Sequence, residues 1–135
     1  MSSVDEESRS YAAGFLDGEG CFVIGSNRKI TVIAENTYLP VINWLQQMFG
    51  GSITACKGKK ANHRTTYRWC VVSRDAMCVC QTLVPYLREK REQAALLIAF
   101  QQTIGGIGRR VPAEVKVERE RLGGMVKALK GRLAA

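Results

Sequence analysis

One stretch near the start of the chain decides the fold, and it reads Tyr11-Ala12-Ala13-Gly14-Phe15-Leu16-Asp17-Gly18-Glu19-Gly20-Cys21-Phe22. Its apolar spacing predicts a helix, and Ala13 and Gly14 thin one side of that helix so that another backbone can approach closely. Glycines at 18 and 20 favour the end of the helix before a strand. Two carboxylates therefore gather at a helix C-terminus, which carries partial negative charge and makes clustered acids costly. A divalent cation bound between the acids and nearby carbonyl oxygens would offset that cost, although a lone D-G-x-G fragment is usually a simple turn.

The rest of the chain predicts helices and strands in alternation. Apolar periodicity predicts a helix over 5–16, strands over 21–24 and 29–35, and a helix that begins near Pro40 and ends at Phe49. A second strand pair over 52–57 and 66–72 precedes helices over 75–84, capped by Ser73, and over 88–103. The basic tail over 113–133 is helix-prone but interrupted at 123–124. The order α-β-β-α-β-β-α plus helices predicts one α+β domain over 1–135, with an antiparallel sheet, helices on one face and a helical extension over 110–135.

Composition narrows the possible partners. The 135 residues carry 20 Lys and Arg against 12 Asp and Glu, a net charge of +8 that favours nucleic acid first and an anionic membrane surface second. No apolar run approaches a membrane span, and the polar, acidic start is unlike a signal peptide, so we expect a soluble protein in the cytoplasm, or in an organelle if encoded there. Five cysteines without a C-x-x-C pair agree with a reducing compartment. A single histidine excludes nucleases and zinc sites that need two or more.

Residues 12–20 resemble the LAGLIDADG motif of homing endonucleases, with Ala12 in place of the first Leu and Glu19 in place of the usual last Asp. Three further segments are similar to parts of that family: Asn36-Thr37-Tyr38-Leu39 with the helix ending at Phe49-Gly50-Gly51, residues 85–94 (PYLREKREQA), and residues 127–132 (KALKGR). Because the motif occurs once, the resemblance is to the single-motif, homodimeric type. It implies the αββαββα fold with a saddle-shaped antiparallel sheet.

The resemblance also implies an activity and a set of residues. It implies a homing endonuclease, as in intron homing, that makes site-specific double-strand breaks in a long pseudo-palindromic DNA target by metal-dependent phosphodiester hydrolysis. Glu19 and the Gly18 carbonyl would bind Mg²⁺, with Mn²⁺ able to substitute and Ca²⁺ binding without cleavage. Lys90 and Asn36 would complete the catalytic set, with Glu35 as the alternative to Asn36. Two motif helices would pack about a two-fold axis through a dimer interface of Ala13, Gly14, Asp17 and Gly18, with Asp17 structural rather than catalytic.

Double-stranded DNA is expected on the sheet face opposite the helices. Alternation over 66–70 places Thr66 and Arg68 on that face and Tyr67 and Trp69 in the core. The expected DNA contacts are the basic residues of the strand pairs and their loops: Arg28, Lys29, Lys57, Lys59, Lys60, Arg64 and Arg68. His63 lies in the same loop as an optional contact. Two other hypotheses use the same fold: an RNA maturase, and a DNA-binding regulator without catalysis; the acid at 19 and the lysine at 90 favour the nuclease.

Overall fold

The computed structural model describes residues 4–58, 64–104 and 111–134, with side chains as far as residue 130. In chain order the elements are α1 (Glu6–Glu19), β1 (Gly20–Ile24), β2 (Ile30–Asn36), α2 (Leu39–Phe49), β3 (Ser52–Cys56), β4 (Thr66–Val72), α3 (Ser73–Leu83), α4 (Arg91–Gln102) and α5 (Ala113–Ala134). The predicted α+β class and the order α-β-β-α-β-β-α followed by helices are confirmed.

The four strands form one antiparallel sheet in the order β1-β2-β4-β3. Side chains alternate across it, so Ile30, Val32 and Ala34 of β2 and Trp69 and Val71 of β4 are buried beneath the helices. The opposite side of the sheet, which we call the open face, carries Cys21 and Val23 of β1, Thr31, Ile33 and Glu35 of β2, Ser52, Thr54 and Cys56 of β3, and Thr66, Arg68, Cys70 and Val72 of β4. The helices thus lie on one face, as predicted, and leave the other face uncovered by the described helices.

A continuous core fixes the position of α1 above the sheet. Leu16 and Phe22 are fully buried, as is Trp69, whose indole N–H donates to the Gly50 carbonyl at 2.8 Å and so keeps its polar atom satisfied. The α2–β3 turn requires Gly51, because its φ is +96° and a Cβ there would lie 2.6 Å from the Cys70 carbonyl oxygen. Because these buried side chains join α1 to the sheet, a disruption of this core would also shift α1 relative to the sheet.

Two predicted helix ends are wrong near the glycines. α1 continues through Gly18 to Glu19, and Lys90, just before α4, donates to the Leu16 carbonyl in its last turn, as described below. α5 runs unbroken across positions 123 and 124, because Leu122 and Val126 on either side are buried. That burial outweighs the glycine cost of about 1 kcal/mol per residue. Within the described residues, no helix is long and apolar enough to cross a membrane.

Two predicted helix starts also differ from the structure. Ser73 does not cap α3: it is the first residue of the helix, its φ is +54°, and the capping position is Val72, which has no side-chain cap hydrogen bond. α4 begins at Arg91 rather than at 88, because the backbone N–H groups of Arg88 and Lys90 donate to the Asp17 carboxylate instead of entering a helix.

Candidate active site and nucleic-acid interface

The motif acid Glu19 is the last residue of α1, and Gly20 begins β1 directly after it. The tight helix-to-strand junction requires glycine at 20, because a Cβ there would lie 2.7 Å from the Leu16 carbonyl oxygen. Glu19 is exposed, and within the described residues its carboxylate has neither an ion pair nor a hydrogen bond. Its neighbour Gly18 is also exposed, in the last turn of the helix, where carbonyl oxygens have no partner further along the helix. The junction therefore presents hard oxygen donors to solvent.

Lys90 braces this junction from a position about 70 residues away in the chain. Its ammonium Nζ donates to the Gly20 carbonyl at 2.6 Å and to the Leu16 carbonyl at 3.2 Å, one on each side of Glu19. A cation at a helix C-terminus is electrostatically favourable, because the helix dipole concentrates partial negative charge there. Lys90 is half-buried, so these contacts hold the ammonium in a defined place. The structure thus brings the predicted residues Gly18, Glu19 and Lys90 together at one end of α1.

Asp17 holds the same junction through backbone groups. Its carboxylate oxygens accept from the backbone N–H of Arg88 at 2.9 Å and of Lys90 at 3.1 Å. These N–H groups precede the first turn of α4, so the carboxylate acts as a cap supplied by another helix. The structural role expected for Asp17 agrees with this geometry. Its expected place in a dimer interface stays a prediction, and within the protomer both carboxylate oxygens are hydrogen-bonded.

The face of α1 that is free to meet a partner differs from the predicted one. Ala13 is fully buried inside the protomer, so its side chain is not part of an exposed surface and the prediction is corrected. The exposed face of α1 instead carries Tyr11, Gly14 and Gly18, which recur at helical spacing. A Cβ at position 14 or 18 would meet nothing within 4 Å, so neither glycine is required for packing within the protomer.

An aromatic groove continues this surface onto α2, and the sequence did not reveal it. The Tyr11 ring meets Trp44 edge-on, with centroids 5.3 Å apart and an interplanar angle of 86°. Pro40 and Val41 complete the apolar lining beside Tyr38, and the side chains of Tyr11 and Tyr38 are 59% and 64% exposed. Tyr11 and Trp44 are visible in the sequence as aromatic residues of two separate predicted helices, but only the folded structure brings their rings into contact. We call Tyr11, Gly14, Gly18, Tyr38 and Trp44 the α1–α2 surface.

The polar residues at the end of β2 have different roles. Asn36 accepts a hydrogen bond from the backbone N–H of Tyr38 at 2.8 Å, which forms a local turn before α2. Glu35 lies on the open face and accepts from the Nε–H of Arg68 at 2.5 Å. That hydrogen bond and the adjacent carboxylate charge raise the pKa of Arg68. Glu35 follows Ala34, which lies opposite Gly20 in the sheet register. Of the two alternatives, Glu35 is therefore the residue placed on the open face beside the Glu19 junction.

The predicted basic contacts lie at opposite ends of the sheet. Arg28 and Lys29 are exposed in the β1–β2 turn, and Arg28 adopts a left-handed φ of +63°. Lys57 and Arg64 are exposed at the end of β3 and before β4, and the register places them at the end of the sheet that carries Gly20. Lys59, Lys60 and His63 lie outside the described residues.

A basic cavity adjoins the first of these turns and was not expected from the sequence. Arg28 lines it together with Phe100 and three residues of α5, namely Lys116, Arg119 and Glu120; its volume is about 190 Å³. Arg119 is buried, and its guanidinium donates to the hydroxyl and carbonyl oxygens of Thr103 at 3.0 and 2.8 Å. α5 therefore adds positive charge beside β1, which is an edge strand.

Comparison with known proteins gives solved structures but no family model or curated relative that matches the chain. Two structures of the homing endonuclease I-CvuI on DNA, one in the presence of Mg with uncleaved DNA and one of Ca, match with TM-scores of 0.71 and 0.68 at 22% and 21% identity. The matches cover 92% and 90% of this chain and 82% and 80% of the other. The archaeal intron-encoded homing endonuclease I-Vdi141I, complexed with DNA, matches with a TM-score of 0.72 at 14% identity, covering 92% of this chain and 84% of the other. These likenesses confirm the fold that the sequence resemblance implied.

Proposed function

We propose that this chain, which has the homing-endonuclease fold, is a site-specific double-strand DNA endonuclease that acts as a homodimer on a long pseudo-palindromic target. One observation carries the proposal: Glu19 is exposed at the end of α1, its carboxylate has no ion pair within the described residues, and Lys90 donates to the Leu16 and Gly20 carbonyl groups on either side of it in the chain. A free carboxylate beside a cation and an open sheet face suits phosphodiester chemistry on a polyanion. The structurally similar proteins described above are homing endonucleases solved with DNA.

The donor atoms at the junction fit a hard divalent cation. Glu19 offers carboxylate oxygens and the last turn of α1 offers carbonyl oxygens, which are the ligands that Mg²⁺ prefers. Within the described residues no three acidic, cysteine or histidine side chains cluster as a metal site, so one protomer supplies only part of a coordination shell. We infer that DNA phosphates supply the rest. Bound Mg²⁺ would activate water and stabilise the leaving oxygen; Mn²⁺ would substitute, and Ca²⁺ would bind without supporting cleavage.

Lys90 has more hydrogen-bond donors than its contacts within the protomer use. An ammonium group has three hydrogens to donate, and two of them go to Leu16 and Gly20. Within the described residues the third hydrogen has no partner, so it can donate to a phosphate oxygen placed against Glu19. Lys90 is therefore proposed to fix the helix end and to stabilise charge on the scissile phosphate, while Asp17 positions Lys90 through its backbone N–H.

A second copy of the chain is proposed on the α1–α2 surface. Gly14 and Gly18 leave the backbone of α1 uncovered along its exposed face, and a two-fold axis beside that face would pair the same residues from each copy. The exposed Tyr11 and the groove at Trp44 supply apolar area next to it. Pairing in this way would bring the two Glu19 residues near one axis, with one carboxylate for each DNA strand.

The target can be found without knowledge of the gene's surroundings. Duplexes that bind the purified protein in Ca²⁺ are selected from a randomised pool, sequenced, and cloned into a plasmid. The proposal predicts that the wild-type protein converts this plasmid to a linear form in Mg²⁺ or Mn²⁺, and that it binds without cutting in Ca²⁺. Selective binding with no strand breakage in either Mg²⁺ or Mn²⁺ would instead identify a DNA-binding regulator, and binding confined to structured RNA would identify a maturase.

A further inference from the structure

The open face carries a single pair of opposite charges. Among the side chains of the described strands on that face, Glu35 and Arg68 are the charged ones, and the others are thiols, hydroxyls and aliphatic groups. Both belong to the central strands β2 and β4, where they lie directly opposite each other in the register. The basic residues at the ends of the strands lie at the margin of the sheet instead, where they could contact the phosphate backbone of a bound DNA.

Glu35 orients the Arg68 side chain and leaves its recognition edge free. The bond runs from Nε–H to Oε1, so within the described residues the two terminal nitrogens of the guanidinium have no partner. The side chain is 50% exposed, and the alternation of β4 places Arg68 on the open face. Two parallel N–H groups in this arrangement match the O6 and N7 acceptors of guanine in the major groove, the commonest specific contact of arginine with DNA. The adjacent carboxylate can also accept from the N4 amino group of the paired cytosine.

The same geometry disfavours a simple phosphate contact. A carboxylate hydrogen-bonded to the arginine repels a phosphate and removes most of the net charge that would attract it. A central position on the sheet also faces base edges when strands enter the major groove, whereas phosphates lie along its rims. The position along the half-site follows from the register: Glu35 comes one residue after Ala34, which is opposite Gly20, so the pair is at the end of the sheet nearest Glu19.

We propose that Arg68, held in place by Glu35, is a specificity determinant that reads a guanine at one base pair of each half-site, on the side nearest the scissile phosphates. This inference rests on the proposed DNA-binding function and adds a base identity to it. Its expected size is that of one good bidentate contact, about 5- to 150-fold discrimination against other bases at that position.

The test is a complete base-substitution profile of the selected target, measured by binding in Ca²⁺. Wild type is compared with Arg68→Lys, Arg68→Gln and Glu35→Gln. Glu118→Gln is the matched control, because it breaks the similarly exposed ion pair to Arg121 on α5, whose nitrogen and oxygen lie 2.6 Å apart. Thermal unfolding of each variant verifies that it is folded. We expect little change in stability, because an exposed ion pair contributes little to it.

The inference predicts a change confined to one symmetric pair of positions. Guanine preference there should vanish in Arg68→Gln and weaken in Arg68→Lys, because lysine can donate to the guanine acceptors but lacks the planar fork. It should weaken in Glu35→Gln and persist in Glu118→Gln. Equal loss of affinity for every sequence, with lysine restoring it, would show a phosphate contact and overturn the inference. An unchanged profile would overturn it as well. Either result leaves the proposed function intact, whereas failure of the wild-type protein to select any duplex would refute that function itself.

Discussion

Substitution of Gly14 should distinguish the stability of the protomer from the stability of the dimer, because we expect it to change the two in opposite directions. A Cβ at this position of α1 meets nothing within 4 Å, and the residue is exposed in the single chain. Gly14→Ala should therefore stabilise the folded protomer by about 0.5–1 kcal/mol, through helix propensity alone. For a chain of this length, we expect the melting temperature to rise by about 2–5 °C.

The dimer should respond in the other direction. If two copies of α1 pack closely at Gly14, a larger side chain enters the interface twice, once from each protomer. Gly14→Leu should then cost about 1–3 kcal/mol at each copy, which weakens dimerisation by roughly 30-fold or more. Alanine should weaken it less. Gly124 in α5 is the matched control, because it is also an exposed helical glycine where a Cβ would meet nothing within 4 Å.

Sedimentation equilibrium measures the dimer dissociation constant, and thermal unfolding below that concentration measures the protomer. The expected result is that Gly14→Leu sediments as a folded monomer at concentrations where wild type and Gly124→Leu are dimers. A dissociation constant for Gly14→Leu equal to that of the control would refute the assignment of this face to the interface. A wild-type protein that stays monomeric with and without DNA would refute the homodimer altogether.

Three further outcomes follow from the contacts described. Asp17→Ala removes two backbone hydrogen bonds and should lower the free energy of unfolding by about 2 kcal/mol in urea titrations, whereas Glu89→Gln in the same segment should change it little. Replacing Arg28 and Lys116 together by Ala should weaken the salt dependence of DNA binding. If the cavity of each protomer holds one phosphate, the slope of log affinity against log salt should become shallower by about 2 for a dimer. An unaltered slope would show that the cavity does not contact DNA. Burial raises the pKa of the Cys80 thiol to about 12 from 9.0, so its contribution to stability is complete below pH 9 and should decline by about 1.4 kcal/mol per pH unit from there up to pH 12. Urea unfolding at several pH values should show this decline in wild type and a smaller one in Cys80→Ala, because burial also raises the pKa of the Cys70 thiol.

The local sequence pattern is sufficient to predict strands in which buried and exposed residues alternate regularly. The alternation over 66–72 predicts β4, and the structure has the strand there, with Trp69 in the core and Arg68 on the open face. A period of two fixes the face that each residue occupies. Helix ends were less predictable. Glycines at 18 and at 123–124 suggested interruptions, but tertiary contacts extend α1 and α5 through them.

The site required information that no local pattern contains. The resemblance to the family identifies Lys90, because residues 88–92 alone predict only a solvated run of charges. Its hydrogen bonds to Leu16 and Gly20 depend on how the segment before α4 packs against the end of α1. The expected interface joined Ala13 and Asp17 to their neighbours at 14 and 18, although adjacent helical residues are about 100° apart. One pair faces the protomer and the other faces solvent, and only the packing of the sheet under α1 decides which.

Cleavage by Glu19→Gln tests the central claim most directly, because glutamine keeps the size of the side chain and removes its charge. Glu89→Gln, an exposed acid next to Lys90, is the matched control. With the selected target in Mg²⁺, the control should cut at the wild-type rate, and Glu19→Gln should cut slower by about 10³-fold or more, the loss expected when several kcal/mol of charge stabilisation disappear. Binding of Glu19→Gln to the same duplex in Ca²⁺ should persist. A Glu19→Gln protein that cleaves its target in Mg²⁺ at close to the wild-type rate would contradict the claim that this carboxylate carries the chemistry.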